Sequence, residues 1–244
     1  MTNPPLLETI ALTKRFGGVT AIDHVDFRVE AGELRCLIGP NGAGKSTFFR
    51  CLTGQLRPTA GHVCFGGEDI TGATTHAIAR RGVAIKAQIP ALFNGLSVAE
   101  NVRLATWKAG GRAARTRKTD EIRAVTGLSP LAAQLAGSLP HGQRQWLELG
   151  LVMAGNPALM LLDEPTAGMT RQEVAQTAEL VRSLAKERTV IVVEHDLQFI
   201  RMVAATVTVF HRGRILVEGP ADAVMADQRV KEVYLGQPPT ADTC

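Results

Sequence analysis

The segment Gly39-Pro40-Asn41-Gly42-Ala43-Gly44-Lys45-Ser46 decides the fold of this chain. It matches the pattern G-x-x-x-x-G-K-[ST] in full. An apolar run ends just before it at Ile38, and a helical stretch over residues 45–53 follows it. Glycines let backbone N–H groups turn toward phosphate oxygens, and the start of a helix adds a positive dipole end. The segment therefore predicts a phosphate-binding loop at the carboxyl end of a strand.

Two side chains of this loop predict which ligand it holds. A lysine at the position of Lys45 reaches the β- and γ-phosphates of a nucleotide, and a hydroxyl at Ser46 can ligate Mg²⁺. A glycine-rich turn that contains a lysine by chance is the alternative, and the flanking strand and helix argue against it. The predicted nucleotide-binding residues of the loop are Gly39, Pro40, Asn41, Gly42, Ala43, Gly44, Lys45, Ser46 and Thr47.

A second apolar run, Leu159-Met160-Leu161-Leu162, ends in two acidic residues, Asp163 and Glu164. In enzymes with such a phosphate loop, an acid at this strand end holds Mg²⁺, so Asp163 is a candidate metal ligand together with Ser46. Glu164 would lie where water attacks the γ-phosphate, which makes it a candidate general base. Two acids after a strand are often only a helix cap or a solvated turn. The phosphate loop upstream favours catalysis and predicts an ATPase.

The spacing of the apolar segments predicts the fold class. Beyond residue 155, strand-like and helix-like stretches alternate, which is typical of βαβ units in a parallel sheet. Residues 6–38 look like short β segments, and residues 96–136 look helical, with Ser97 and Glu100 forming a capping box and a second helical stretch around residues 120–125. A further helix is expected over residues 143–154. We therefore expect an α/β fold: a P-loop NTPase core with a mainly parallel sheet, an N-terminal antiparallel β segment and an inserted helical lobe. The expected single domain, 1–244, divides into a core (1–95 and 155–236), a lobe (96–154) and a tail (237–244).

Composition excludes several other classes of protein. The net charge is only +4, and the basic stretch at Lys108, Arg112, Arg115, Arg117 and Lys118 lacks interleaved aromatic residues. We therefore expect a solvated helix face there and no nucleic-acid partner. No apolar run reaches the roughly 18 residues that a transmembrane helix needs, and the N-terminus lacks the pattern of a signal peptide. The sequence predicts a cytosolic protein that reaches the membrane through partners.

Further elements in the same order make the resemblance specific. With its phosphate loop and its two acids, the chain resembles the ATP-binding subunit of an ABC transporter over nearly its whole length. The resemblance implies roles for several more residues. Gln88 lies where the family has a glutamine that ligates Mg²⁺ and couples the ATPase to its partner, and His195 lies where a histidine contacts the γ-phosphate. Phe16 lies where an aromatic ring stacks on adenine. The family's signature segment corresponds to Leu139, Pro140, His141, Gly142 and Gln143.

The resemblance also implies partners and a cycle. Two ATPase chains, identical or paralogous, would pair head to tail, each ATP lying between the phosphate loop of one chain and the signature of the other. ATP would close this dimer, hydrolysis would open it, and the motion would drive integral-membrane permease subunits. A periplasmic or extracellular solute-binding protein would act indirectly. The chain would then sit peripherally at the cytoplasmic face of the cell membrane, with ATP and Mg²⁺ as its ligands.

Two positions depart from the family pattern. Pro140 replaces the signature serine, and proline offers neither a hydroxyl nor an N–H group, so one contact to the neighbour's γ-phosphate should be missing. His141 is a candidate to replace that contact. In addition, the turn after Glu164 continues as Ala167-Gly168-Met169-Thr170, where the family usually has an aspartate. The contact that this aspartate makes across the dimer is therefore in doubt.

Smaller markers resemble the importer subfamily for branched-chain amino acids and urea. They are Arg15-Phe16-Gly17-Gly18, Ala167-Gly168-Met169 and Glu232-Val233-Tyr234-Leu235-Gly236. The run Gln145-Trp146-Leu147-Glu148 is most similar to the urea importer's ATPase, so urea is the predicted solute and branched-chain amino acids are the alternative. A soluble ABC ATPase outside transport is a further alternative, but the chain has neither coiled-coil heptads nor a second phosphate loop. A nucleotide-binding regulatory subunit with little ATP turnover is a third alternative. The presence of Glu164 and His195 argues against it.

Overall fold

The computed structural model describes residues 4–86 and 92–235. Gln88 and the predicted tail 237–244 lie outside the described residues. The strands are β1 (Leu7–Phe16), β2 (Val19–Val29), β3 (Leu34–Ile38), β4 (Ala60–Phe65), β5 (Glu68–Asp69), β6 (Val83–Lys86), β7 (Leu159–Asp163), β8 (Thr189–Val193), β9 (Thr206–His211) and β10 (Arg214–Pro220). The helices are α1 (Lys45–Leu52), α2 (Thr75–Arg80), α3 (Val98–Ala105), α4 (Arg112–Val125), α5 (His141–Ala154), α6 (Arg171–Ala185), α7 (Leu197–Val203), α8 (Ala221–Ala226) and α9 (Gln228–Leu235).

The larger sheet has six strands in the order β10-β9-β3-β8-β7-β6. Strands β9, β3, β8, β7 and β6 pair in parallel, and β10 joins β9 in antiparallel orientation at the edge. Strands β3 and β8 are buried at every position, as expected for parallel strands covered on both faces. The predicted, mainly parallel sheet is confirmed.

The smaller sheet has four antiparallel strands in the order β2-β1-β4-β5, which confirms the predicted N-terminal antiparallel segment. Helix α1 packs between the two sheets. Phe48 on this helix is fully buried, with its ring 5.3 Å from the ring of Phe27 on β2 and 5.1 Å from that of Phe210 on β9. A second apolar cluster on the other face of the larger sheet includes residues of α3, α5, α6 and α7. Helix α1, which follows the phosphate loop, is therefore fixed by packing on two sides.

Helices α3, α4 and α5 lie in the chain between β6 and β7, where the inserted lobe is predicted. The capping box that starts α3 is present, since the Ser97 hydroxyl accepts from the Glu100 N–H at 3.2 Å and the Glu100 carboxylate accepts from the Ser97 N–H at 2.8 Å. The division of the domain into a core and a separate lobe stays a prediction. Among the residues that the structure describes, no helix has the length and apolar character needed to cross a membrane.

Several helix boundaries differ from the predicted ones. Helix α4 begins at Arg112, although apolar periodicity indicated helix only near residues 120–125, because its charged face buries little beyond Thr119 and Ile122. Helix α5 begins at His141, two residues earlier than predicted, since proline is well tolerated just before a first helical turn. Helices α2, α8 and α9 were not predicted, and they are too short for a clear periodic pattern.

Replacing the buried ring between the two sheets should destabilise the fold strongly. We expect Phe48→Ala to lower the free energy of unfolding by about 3–5 kcal/mol, because it leaves a cavity against both sheets. Urea unfolding followed by circular dichroism measures this change. The matched control is Phe93→Ala, at a side chain that is 60% exposed, which should change stability by no more than about 0.5 kcal/mol. Equal effects of the two substitutions would contradict the packing described here.

Candidate nucleotide-binding and catalytic site

The predicted phosphate loop leaves the end of β3 and leads into α1. Gly39 has φ of +150°, and a Cβ atom there would collide with the carbonyl oxygen of Phe210 on β9, so only glycine fits. On the far side of the loop, the N–H of Gly213 donates to the carbonyl of Ala43 at 2.9 Å. The loop is thus held between its own strand and the turn that joins β9 to β10.

Lys45 lies inside the loop. Its Nζ donates to the carbonyls of Gly39 at 2.6 Å and Pro40 at 3.0 Å, and the side chain is buried. Burial lowers the pKa of Lys45, and the negative charges of Glu164 and Asp163 partly oppose that shift. Ser46, the next residue, is exposed at the start of α1.

Asp163 ends β7, and one of its carboxylate oxygens, Oδ1, is buried without a hydrogen-bond partner. Burial raises the pKa of this carboxyl, the charge of Glu164 raises it further, and Lys86 and Lys45 lower it. A buried, unpartnered oxygen is suited to a hard cation such as Mg²⁺. Within 4–86 and 92–235, no group of three or more His, Cys, Asp or Glu side chains forms a metal cage. Among the described residues, Asp163 and Ser46 are the ones that could hold Mg²⁺ here, with nucleotide phosphates and water as further ligands.

Glu164 follows Asp163 in a strained backbone conformation. Its φ is +46°, which is rare for a residue with a side chain, and its N–H donates to the carbonyl of Val193 at 2.9 Å. This turn brings Oε1 of its carboxylate to 3.6 Å from Nδ1 of His195. The His195 side chain is 63% exposed and that of Glu164 is 29% exposed. The side chains of Glu164 and His195 therefore both face the open edge of the sheet.

Glu194 is a site residue that the sequence analysis missed. Its buried carboxylate accepts from the N–H of Thr166 at 3.0 Å through Oε1, and from the N–H of His195 at 3.0 Å through Oε2. It therefore joins the turn that carries Glu164 to the turn that carries His195. The available signal was its position directly after the apolar run Val190-Ile191-Val192-Val193, because an acid there ends a fully buried strand inside the core.

Phe16 lies on the smaller sheet, whereas the phosphate loop, Asp163 and His195 lie at the ends of strands of the larger sheet. It ends β1, its ring is 47% exposed, and Nζ of Lys14 lies 5.0 Å from the ring centroid. The N–H of Asp23 on the paired strand β2 donates to the carbonyl of Gly213, which is also bonded to the phosphate loop. The hairpin that carries Phe16 is therefore anchored next to the loop, and the stacking role of its ring stays a prediction.

The predicted signature segment lies at the start of α5. Leu139 is buried, and Pro140 is the residue before the first helical turn, with φ of −53°. No side chain caps that turn, so its first N–H groups have no side-chain acceptor. Nε2 of His141 lies 2.8 Å from the carbonyl oxygen of Ala167 in the same chain. Gly142 is buried and Gln143 is half-buried.

A family model described as ABC transporter matches residues 22–167, which include the phosphate loop, the signature segment and both acids. The chain belongs to the ABC transporter family. It is accordingly an ATPase. It is 34% identical to the high-affinity branched-chain amino acid transport ATP-binding protein BraF of Pseudomonas aeruginosa, over 96% of this chain and 98% of BraF. It is 32% identical to LivG of Escherichia coli, a protein of the same description, with the same coverage of each chain.

Solved structures agree with the fold. A nucleotide-free ATP-binding cassette from an ABC transporter superposes with a TM-score of 0.85 at 27% identity, over 96% of this chain and 100% of that chain. The ADP conformation of the ATP-binding cassette MJ1267 gives a TM-score of 0.84 at 27% identity, over 96% and 99% of the two chains. The predicted fold class of this ABC ATPase is therefore confirmed.

Removing the carboxylate of Glu164 should separate ATP binding from hydrolysis. We expect Glu164→Gln to bind ATP but to hydrolyse it about 10²- to 10⁴-fold more slowly, because the amide cannot take a proton from water. Phosphate release measures hydrolysis, and fluorescent-nucleotide titration measures binding. The control is Glu179→Gln on the exposed face of α6, which should hydrolyse ATP normally. Normal turnover by Glu164→Gln would exclude Glu164 as the base.

Proposed function

We propose that the chain is the ATP-hydrolysing subunit of an importer and powers uptake of branched-chain amino acids through a separate membrane permease. The observation that carries this proposal is the identity of 34% with BraF and 32% with LivG, each over 96% of this chain. Both relatives are named for branched-chain amino acid transport, so they favour the alternative of the sequence analysis over urea.

The proposed chemistry uses the residues at the carboxyl edge of the larger sheet. Lys45, which donates to two loop carbonyls, turns instead to the β- and γ-phosphates of ATP. Glu164 takes a proton from the attacking water, and His195, 3.6 Å away, contacts the γ-phosphate. Bound Mg²⁺ would neutralise phosphate charge, with Asp163, Ser46 and Gln88 as its proposed protein ligands. Phe16 is proposed to stack on adenine.

The second half of each ATP site is proposed to come from another ATPase chain, identical or paralogous, paired head to tail. This chain contributes residues 139–143 to the neighbour's ATP. The uncapped first turn of α5 supports that role, because free N–H groups at a helix start attract anions. Pro140 supplies no hydroxyl, so the backbone of the turn provides the contact.

The permease is proposed to dock in a groove between the larger sheet and the lobe helices. The groove has a volume of about 670 Å³ and is lined largely by apolar side chains, among them Leu104 and Trp107, which are 50% and 69% exposed. Its rim carries Lys108, and the guanidinium of Arg115 lies 4.4 Å from the Trp107 ring. These cations favour a permease segment with apolar side chains and an acidic residue. Such docking would hold the chain at the cytoplasmic face of the membrane.

Reconstitution with the permease tests both the function and the solute. The chain, its partner ATPase and the permease are placed in liposomes with the solute-binding protein, and ATP hydrolysis is measured. We expect leucine, isoleucine or valine to stimulate hydrolysis severalfold and urea to have no effect. Stimulation by urea alone would overturn the amino acid assignment. Hydrolysis that never depends on the permease would favour an ATPase outside transport.

A substitution in the groove tests the proposed docking site in the same experiment. Trp107→Glu places a negative charge on an exposed side chain that belongs to none of the nucleotide-binding motifs. It should leave hydrolysis by the isolated chain unchanged and reduce stimulation in the liposomes. The comparison variant Val125→Glu changes an exposed apolar residue outside the groove and should keep full stimulation. Equal stimulation of both variants would exclude this groove as the docking site.

A further inference from the structure

His141 connects the signature segment to the turn that follows the candidate base in the same chain. Its Nε2 lies 2.8 Å from the carbonyl oxygen of Ala167, and a carbonyl oxygen only accepts, so the proton of the ring must be on Nε2. The N–H of Ala167 in turn donates to the carbonyl of Glu164 at 3.2 Å. Two consecutive hydrogen bonds thus lead from the start of α5 to Glu164.

Close packing supports this connection. A Cβ atom on Gly142 would collide with Oε1 of Glu173, so the start of α5 lies directly against the start of α6. Glu173 is itself held there, since its carboxylate accepts from the N–H of Thr170 at 2.8 Å in a capping box. The start of α5 therefore cannot move toward α6 without displacing that cap.

A third contact lies one turn further along α5. The indole N–H of Trp146 donates to the hydroxyl of Thr177 on α6 at 2.9 Å, and that hydroxyl lies 3.2 Å from the sulfur of Met169. Met169 belongs to the same turn as Ala167. Helix α5 is therefore linked to the turn over residues 167–170 twice, through His141 and through Trp146. We expect the helix and the turn to move as one unit.

In the proposed head-to-tail dimer, these two elements serve different ATP molecules. The start of α5 faces the neighbour's ATP, whereas Glu164 acts on the ATP held by Lys45. We propose that His141 is a positioning residue that couples the two ATP sites by tying the signature segment to the turn after Glu164. This inference rests on the proposed function.

The dependence of hydrolysis on ATP concentration tests the coupling in the complete transporter complex. His141→Phe keeps a ring without an N–H donor, and His141→Gln keeps a side-chain N–H donor. We expect His141→Phe to lower the Hill coefficient for ATP toward 1, with His141→Gln restoring part of the cooperativity. His62→Ala, at an exposed histidine paired with Asp69 on the smaller sheet, is the control and should match the wild type.

The outcomes separate this inference from the proposed function. A wild-type complex that does not hydrolyse ATP would overturn the proposed function. A wild-type complex that hydrolyses ATP without cooperativity, or a His141→Phe complex with the wild-type Hill coefficient, would overturn the coupling role alone. A merely structural role for His141 would lower the melting temperature and leave the Hill coefficient unchanged. If His141→Phe does not fold, His141→Ala provides the same comparison.

Discussion

Parallel pairing of β8 with both β3 and β7 is the constraint on which the ATP site depends. Val193 at the end of β8 lies beside Leu37 of β3 on one side and Asp163 of β7 on the other. The three strands therefore end at the same edge of the sheet. Each then delivers one part of the site: the phosphate loop, the two acids and His195.

Buried polar contacts hold the turns beyond those strand ends. The carboxylate of Glu194 accepts from backbone N–H groups on the turns after β7 and β8, which fixes Glu164 and His195 relative to one another. A buried carboxylate left without such donors would be costly, so the two turns and Glu194 stabilise one another. The strained φ of Glu164 is maintained by this surrounding structure.

Local patterns in the sequence predicted the fold class, which is confirmed, and they also supplied the candidate site residues, whose roles stay predictions. The phosphate loop has fixed spacing, and Asp163 and Glu164 directly follow a buried strand. What could not be predicted depends on contacts between distant segments. No local pattern in the sequence predicts the hydrogen bond between Glu194 and Thr166. The same holds for the hydrogen bond between His141 and Ala167. Helix α4 was predicted too short because its exposed, charged residues carry no apolar period.

Lys45 is proposed to hold the phosphates of ATP at this sheet edge. Calorimetric titration of ATP with Mg²⁺ into the wild type and into Lys45→Ala tests it most directly, with Lys231→Ala on the exposed face of α9 as control. Hydrogen bonds to charged groups are worth about 1.5–3 kcal/mol, so Lys45→Ala should bind ATP roughly 10- to 150-fold more weakly. Wild-type affinity in a folded Lys45→Ala chain would exclude this role of Lys45.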